Sequence, residues 1–232
     1  GHLFGASSLE TEDNIVRLDR TLADLFDFVD KQVGLKKTLI VLSADHGQPE
    51  VPGHLHERGI DKAHYFDTKT LDKTPAIMAL KKQFGIGEEL IEAFFQPYLY
   101  LNHDLIRDKG LDQAEVEQAV AEELLKFDGV AYAVSSTALR TNNLPNTLMT
   151  RSILHNFHPN RSGDIYLAFE PNVFINDFDG LIVASTHGSP WRYDTFVPVI
   201  FAGAGLPAMT VSRPVTPYDI APTLAAYLGM KP

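Results

Sequence analysis

The chain has no cysteine among its 232 residues, so neither disulfide bonds nor thiolate metal sites are available to it. No apolar run approaches the roughly 20 residues that a membrane-spanning helix needs. Positive charge is also scarce, since 20 Lys and Arg stand against 30 Asp and Glu, for a net charge of −10. Binding to a nucleic-acid duplex requires clustered Lys and Arg, and the composition therefore argues against such a partner. A small phosphorylated substrate stays compatible, because a bound metal inverts the local field.

The apolar residues that are present predict an α/β fold. They recur at helical spacing over residues 11–33, and Gly34 stands where that helix would end. Residues 38–44 then form a short, continuous apolar run, which is typical of a strand covered on both faces in a parallel sheet. Two more such strands are predicted over residues 181–185 and 197–202. The pattern predicts a doubly wound, mostly parallel sheet with helices on both faces.

The middle of the chain differs from this repeating pattern. Residues 48–70 are rich in Pro and Gly and predict a long loop. Helices are expected near residues 75–84, 112–125 and 145–155, and strands near 98–101 and 130–134. We interpret residues 65–176 as an inserted small α+β region. Residues 1–64 and 177–232 would then form the core of the fold.

Two predicted strands run directly into histidine-glycine pairs. Asp45, His46 and Gly47 follow the first, and His187 with Gly188 follows another. Ligands of open α/β sheets bind outside the C-terminal ends of the strands, and a carboxylate beside an imidazole suits a divalent cation such as zinc. The competing interpretation is a helix cap and a hydrogen-bonded loop residue, and the strand ends alone leave both open. The other histidines are interpreted as loop, structural or surface residues: His54, His56, His64, His103, His155 and His158.

Three ordered segments, residues 1–13, 42–47 and 185–190, resemble the alkaline phosphatase superfamily. The resemblance is to bacterial alkaline phosphatases related to the type I phosphodiesterases and nucleotide pyrophosphatases. It extends over the whole chain, including residues 161–164 and the closing segment 219–224. Composition alone leaves Gly1 and His2 open as a tag remnant, whereas the resemblance implies that His2 is native and binds metal.

The resemblance implies a centre of two divalent metals, with zinc preferred and manganese as the alternative. His2 and His187 would bind one metal, and Asp45 and His46 the other. The remaining ligands and a Ser or Thr nucleophile would lie upstream, together with the first strands of the sheet. We therefore expect this chain to be the C-terminal part of a phosphate-ester hydrolase. By itself it would bind metal weakly or in part, catalyse nothing, and self-associate through exposed sheet surface.

Other functions fit the same residues. Metal-dependent phosphomutases and sulfatases belong to the same superfamily, and a binding domain with vestigial motifs is the non-enzymatic alternative. The resemblance implies a periplasmic or secreted parent protein. The expected partner is a small phosphorylated substrate, with no nucleic-acid duplex and no membrane segment. Whether that substrate is a monoester or a diester stays open at this point.

Overall fold

A computed structural model of the chain describes residues 1–178, 180–203 and 205–231. The chain divides into two compact units. The large unit comprises Gly1–Ser7 and Gln48–Thr195, and the small unit comprises Ser8–Gly47 and Phe196–Pro232. Both units are discontinuous, as the predicted core was, but their boundaries lie at other residues. The division into a core and an insertion at residues 65–176 concerns the fold of the family and stays a prediction.

The described elements alternate between helices and short strands along the chain. The helices are α1 (Leu9–Gln32), α2 (Pro52–Glu57), α3 (Pro75–Gln83), α4 (His103–Asp108), α5 (Gln113–Leu124), α6 (Ser136–Arg140), α7 (Leu148–Asn156), α8 (Arg192–Thr195) and α9 (Ile220–Tyr227). The strands are β1 (Leu39–Ser43), β2 (His64–Tyr65), β3 (Ile91–Phe95), β4 (Tyr98–Leu101), β5 (Val130–Ser135), β6 (Ile165–Phe169), β7 (Val173–Phe174), β8 (Asp177–Phe178), β9 (Leu181–Ile182) and β10 (Val199–Gly203). Short 3-10 turns lie at Leu35–Lys37, Leu71–Lys73 and Pro217–Asp219.

The small unit is built from α1, β1, β10 and α9. Ser8 caps helix α1, because its hydroxyl accepts a hydrogen bond from the Thr11 N–H. The helix begins at Leu9 and runs for 24 residues, so the predicted helix is confirmed. Strand β1 pairs with β10 in antiparallel register, from Leu39 opposite Gly203 to Ser43 opposite Val199. After β1 the chain reaches Asp45 and His46, so the strand end predicted to carry them is also confirmed.

The large unit has a four-stranded antiparallel sheet in the order β3-β4-β6-β5. Helix α5 buries Val116, Val120 and Leu124, which repeat every fourth residue and so share one face. Asp112 starts that helix by accepting from the Glu115 N–H, as its sequence position predicts. These residues join the strands in the main apolar core of the unit.

Three expectations about local structure were wrong. Residues 48–70 contain α2 and β2 rather than one long loop, because Pro52 at the first position starts a helix. The strand predicted over residues 181–185 is limited to the exposed β9, which forms a hairpin with β8. The pairing of β1 is antiparallel, and among the pairs of the described strands only β2 with β7 is parallel. A continuous apolar run reports burial and leaves strand direction open.

Candidate metal centre

His2 and His187 lie together in the large unit, with their ring centroids 5.2 Å apart and tilted by 47°. The Nδ1 atom of His2 lies 2.9 Å from the carbonyl oxygen of Ser185. Because a carbonyl oxygen only accepts hydrogen bonds, this contact assigns the His2 proton to Nδ1 and the lone pair to Nε2. A neutral imidazole with its second nitrogen held by a carbonyl is the usual arrangement of a metal-binding histidine.

The backbone of His2 fixes the same segment. Its carbonyl oxygen accepts hydrogen bonds from the N–H groups of Ala184 and Ser185, at 2.8 and 3.2 Å. Residues 1–5 themselves form a tight turn, in which the Gly5 N–H donates to the Gly1 carbonyl at 2.7 Å. His2 and His187 stand 185 positions apart in the sequence, and both backbone and side-chain contacts hold the segment around His2 to the segment around His187.

Hydrogen bonds with distant residues hold the segment from Ala184 to His187, which we call the His187 loop. The Tyr65 hydroxyl donates to the Ala184 carbonyl at 2.8 Å, and burial raises the pKa of Tyr65. The buried Ser185 hydroxyl donates to the Pro49 carbonyl at 2.6 Å. The Gln96 side-chain amide donates to the His187 carbonyl at 2.8 Å. Three separate parts of the large unit therefore fix this loop.

The residues that follow His187 are fixed by Asp194. Its carboxylate accepts hydrogen bonds from both the N–H and the hydroxyl of Ser189, at 2.8 and 2.6 Å. Asp194 is buried, with 4% of its surface exposed, and lies in the short helix α8. The Trp191 indole N–H donates to the Phe169 carbonyl at 2.8 Å, which attaches this stretch to strand β6. The chain after His187 is thereby held to the central sheet of the large unit.

Asp45 and His46 form the second predicted pair, in the small unit directly after β1. The carboxylate oxygen Oδ1 of Asp45 lies 3.7 Å from Nε2 of His46. The Nδ1 atom of His46 lies 2.7 Å from the Gly47 carbonyl, so Nδ1 carries the proton and Nε2 the lone pair. Two atoms bound to one tetrahedral zinc at about 2 Å each lie about 3.4 Å apart, so this separation suits a shared ion.

Glu50 connects the N-terminal segment at Ser7 to the residue before α2. Burial by itself would raise the pKa of Glu50, but hydrogen bonds from Ser7 and from the Val51 N–H, with the charge of His54, lower it overall. The Glu50 carboxylate lies 3.0 Å from the Val51 nitrogen. This residue ties the N-terminal turn to the start of α2, and no sequence motif pointed to it.

The donor sets fit a divalent metal as two incomplete pairs. Each pair offers imidazole nitrogen, and one adds a carboxylate, which are donors that zinc accepts. Within residues 1–178, 180–203 and 205–231, no group of three or more His, Cys, Asp or Glu is arranged to hold a metal ion. A catalytic zinc site needs three protein ligands and a structural site four. The assignment of His2, His187, Asp45 and His46 as ligands stays a prediction.

The chain has the fold of the alkaline phosphatases. The crystal structure of wild-type alkaline phosphatase PafA matches it with a TM-score of 0.82 and 29% sequence identity, over 98% of this chain and 42% of that chain. The predicted fold class is thereby confirmed. A family model described as type I phosphodiesterase / nucleotide pyrophosphatase matches residues 1–190. The chain belongs to this family, within the alkaline phosphatase superfamily, as the resemblance of its motifs indicated.

Curated relatives match the chain from end to end. A calcium-transporting ATPase from Myroides odoratus is 34% identical over 231 residues, which is 100% of this chain and 41% of the relative. Alkaline phosphatase PafA from Elizabethkingia meningoseptica is 31% identical over 237 residues, again 100% of this chain and 41% of the relative. Alkaline phosphatase PhoV from Synechococcus elongatus is 28% identical over 241 residues, which is 100% of this chain and 40% of the relative. The chain thus spans about two fifths of the relatives that it matches.

Among the helices in the described part of the chain, none is long and apolar enough to cross a membrane.

Proposed function

We propose that this chain is the C-terminal part of a metal-dependent phosphate-ester hydrolase. The observation that carries the proposal is the His2–His187 pair, in which the hydrogen bond to Ser185 leaves Nε2 of His2 as the ligand nitrogen. Family membership supports hydrolysis at phosphorus, and the names of the relatives, ATPase and alkaline phosphatase, both describe cleavage of a bond to phosphorus.

In this proposal the two pairs hold two divalent metals, zinc by preference and manganese as the alternative. His2 and His187 bind one, and Asp45 and His46 bind the other. When bound, such metals supply Lewis acidity that activates a hydroxyl nucleophile and stabilises the leaving oxygen. In this chain, the contacts of Nδ1 with backbone carbonyls orient the imidazoles of His2 and His46 and leave Nε2 of each ring as the ligand nitrogen. The nucleophile, a Ser or Thr, and the remaining ligands belong to sequence outside this chain.

Metal binding by the purified 232-residue chain tests the ligand assignment. Zinc titration against a chromogenic chelator is expected to reveal two weak sites, because each pair supplies two of the three or four ligands that a zinc site needs. His187→Ala should abolish one site and His46→Ala the other. His155→Ala is the matched control, since His155 is an exposed histidine of α7 in neither pair. Unchanged binding in both His187→Ala and His46→Ala would exclude the assignment.

Activity tests separate the reaction classes. The purified chain should hydrolyse neither a phosphate monoester nor a diester, because the proposal gives each metal only two ligands from this chain and places the nucleophile outside it. A protein of the relatives' length that contains this chain should hydrolyse at least one of the two in the presence of zinc. Turnover of a sulfate ester in preference to both would favour the sulfatase alternative. Transfer of phosphate within a sugar phosphate would favour the phosphomutase alternative. A longer protein that catalyses none of these reactions and binds no metal would favour the alternative of a binding domain.

We also propose a periplasmic or secreted location for that longer protein, on family resemblance alone. Cell fractionation with an antibody against this chain would test the location.

A further inference from the structure

The backbone conformation of Gly188 affects the orientation of His187, the residue before it. Its φ is +104°, in the left-handed region that favours glycine. Glycine has a wide range of allowed backbone angles, so the peptide between His187 and Gly188 could adopt several orientations and the His187 side chain would point in several directions. Something in the fold must therefore restrict the peptide between His187 and Gly188.

The Gln96 side chain is placed to do this. It lies in the turn between β3 and β4, 91 residues before His187, and its Nε2 donates to the His187 carbonyl at 2.8 Å. A Cβ built on Gly188 would lie 2.8 Å from Gln96 Nε2 and 3.4 Å from its Cδ. The amide thus hydrogen-bonds the carbonyl of this peptide and occupies the space that a Cβ at position 188 would take.

We propose that Gln96 is a positioning residue, which orients His187 toward His2 for metal binding by fixing the His187–Gly188 peptide. The proposal rests on the proposed function for the metal and on the geometry of the large unit for the orientation. Tyr65 and Ser185 fix the loop before His187, and Asp194 fixes it after Gly188. Gln96 is the side chain that reaches the carbonyl of the ligand residue itself.

The variant Gln96→Met isolates the hydrogen bond. Methionine has a similar length and keeps apolar packing against Gly188, but it has no N–H to donate. Gln83→Met is the matched control, because Gln83 is an exposed glutamine at the end of α3 in the same unit. Both variants are expected to unfold at nearly the same temperature as the unchanged chain.

The first measurement needs no metal. Ring protons of His2 and His187 should show a nuclear Overhauser effect in the unchanged chain, since the ring centroids are 5.2 Å apart. Gln96→Met should weaken that effect and broaden the His187 ring signals, whereas Gln83→Met should leave both unchanged. A purely structural attachment of the β3–β4 turn would lower the melting temperature without moving the His187 ring signals. Unaltered ring signals in Gln96→Met would overturn the proposal, whether or not zinc binds.

The second measurement is zinc affinity in a chain that also carries Asp45→Ala and His46→Ala, so that only the His2–His187 pair remains. Gln96→Met should weaken zinc binding by about three- to tenfold, the range that one lost hydrogen bond corresponds to. Equal affinity with and without Gln96→Met would overturn the proposal. If no variant binds zinc while Gln96→Met still alters the ring signals, the proposed metal function fails and the positioning role of Gln96 stands.

Discussion

The two units of the chain both contain regular apolar patterns and differ sharply in burial. Every buried residue of the apolar core lies in the large unit, which includes Leu124, Ile153 and Ile165 at 0% exposure. None of the small unit's described residues is buried, although α1 carries a regular apolar stripe. A correct local pattern therefore produces a helix or strand without guaranteeing a core, because burial needs a second surface to pack against.

The ion pairs of the two units also differ in how far they are exposed to solvent. In the large unit, Lys81 Nζ lies 2.6 Å from Asp72, and both side chains are less than a tenth exposed. Asp72 also accepts hydrogen bonds from the N–H groups of Leu90 and Ile91. In the small unit, Arg17 lies 2.6 Å from Asp13, but their side chains are 71% and 61% exposed. Equal distances thus conceal very different environments.

The largest expected effect tests that difference. Lys81→Met leaves the Asp72 carboxylate buried without its cation and should lower the free energy of unfolding by about 3–5 kcal/mol. Arg17→Met removes an exposed pair and should cause no measurable loss, because solvent screens it. Urea unfolding followed by the fluorescence of Trp191, the single tryptophan, reports on the large unit. Far-ultraviolet circular dichroism covers α1. Similar losses in the two variants would contradict the contrast.

The second effect concerns apolar side chains. Leu124→Ala creates a cavity in the core of the large unit and should lower the free energy of unfolding by about 2–5 kcal/mol. Leu25→Ala, in α1, removes a side chain that is already 50% exposed and should cost less than about 1 kcal/mol. The same urea experiments measure both. A loss at Leu25 as large as that at Leu124 would mean that α1 is covered in solution.

The third effect follows from the surface of the small unit. Phe196, Met209 and Tyr218 are 71%, 74% and 87% exposed. We expect the chain to self-associate through such residues, and Phe196→Ser with Met209→Ser to weaken association by about tenfold or more. Sedimentation velocity over a range of concentrations measures this. Leu148→Ser, at an exposed residue of the large unit, is the control and should change nothing. A strictly monomeric chain at all concentrations would refute the expectation.

The smallest effect concerns Glu50. Because its pKa is lowered in the folded chain, its stabilising contribution is complete above pH 4.5 and is lost as the pH falls through the folded pKa. Glu50→Gln should therefore lower the melting temperature slightly at pH 7, and the difference from the unchanged chain should shrink as the pH falls below 4.5. Glu12→Gln, at an exposed residue of α1, should show no such difference. Equal melting curves for Glu50→Gln and the unchanged chain at pH 7 would remove Glu50 from this role.

Much of the fold could be predicted from local patterns. Helix α1 follows from its apolar spacing, α5 from its cap at Asp112, and α3 from Pro75 at its first position. Strands β3 and β6 were missed. Phe94 and Phe95 end the first run close before a proline, whereas β6 is a continuous apolar run of the kind that predicted β1 and could have been found by the same signal. Antiparallel pairing of β1 also escaped prediction, since direction is set by the neighbouring strand.

The candidate site divides in the same way. His2, Asp45, His46 and His187 could be selected because each stands in a short segment that contains a paired histidine and glycine and that resembles the family. Gln96 and Tyr65 carry no motif and are recognisable only by their contacts with the His187 loop. No periodicity connects residues that are 91 or 119 positions apart.

By itself the sequence determined the family, the fold class, and the residues proposed to bind metal, because these depend on residue type and short spacing. Only the tertiary structure decided which apolar stripes are buried, that the rings of His2 and His187 meet, and that the Gln96 amide donates to the carbonyl of His187. The physical reason is that burial and long-range hydrogen bonds depend on where distant segments pack, and local spacing carries no information about that position.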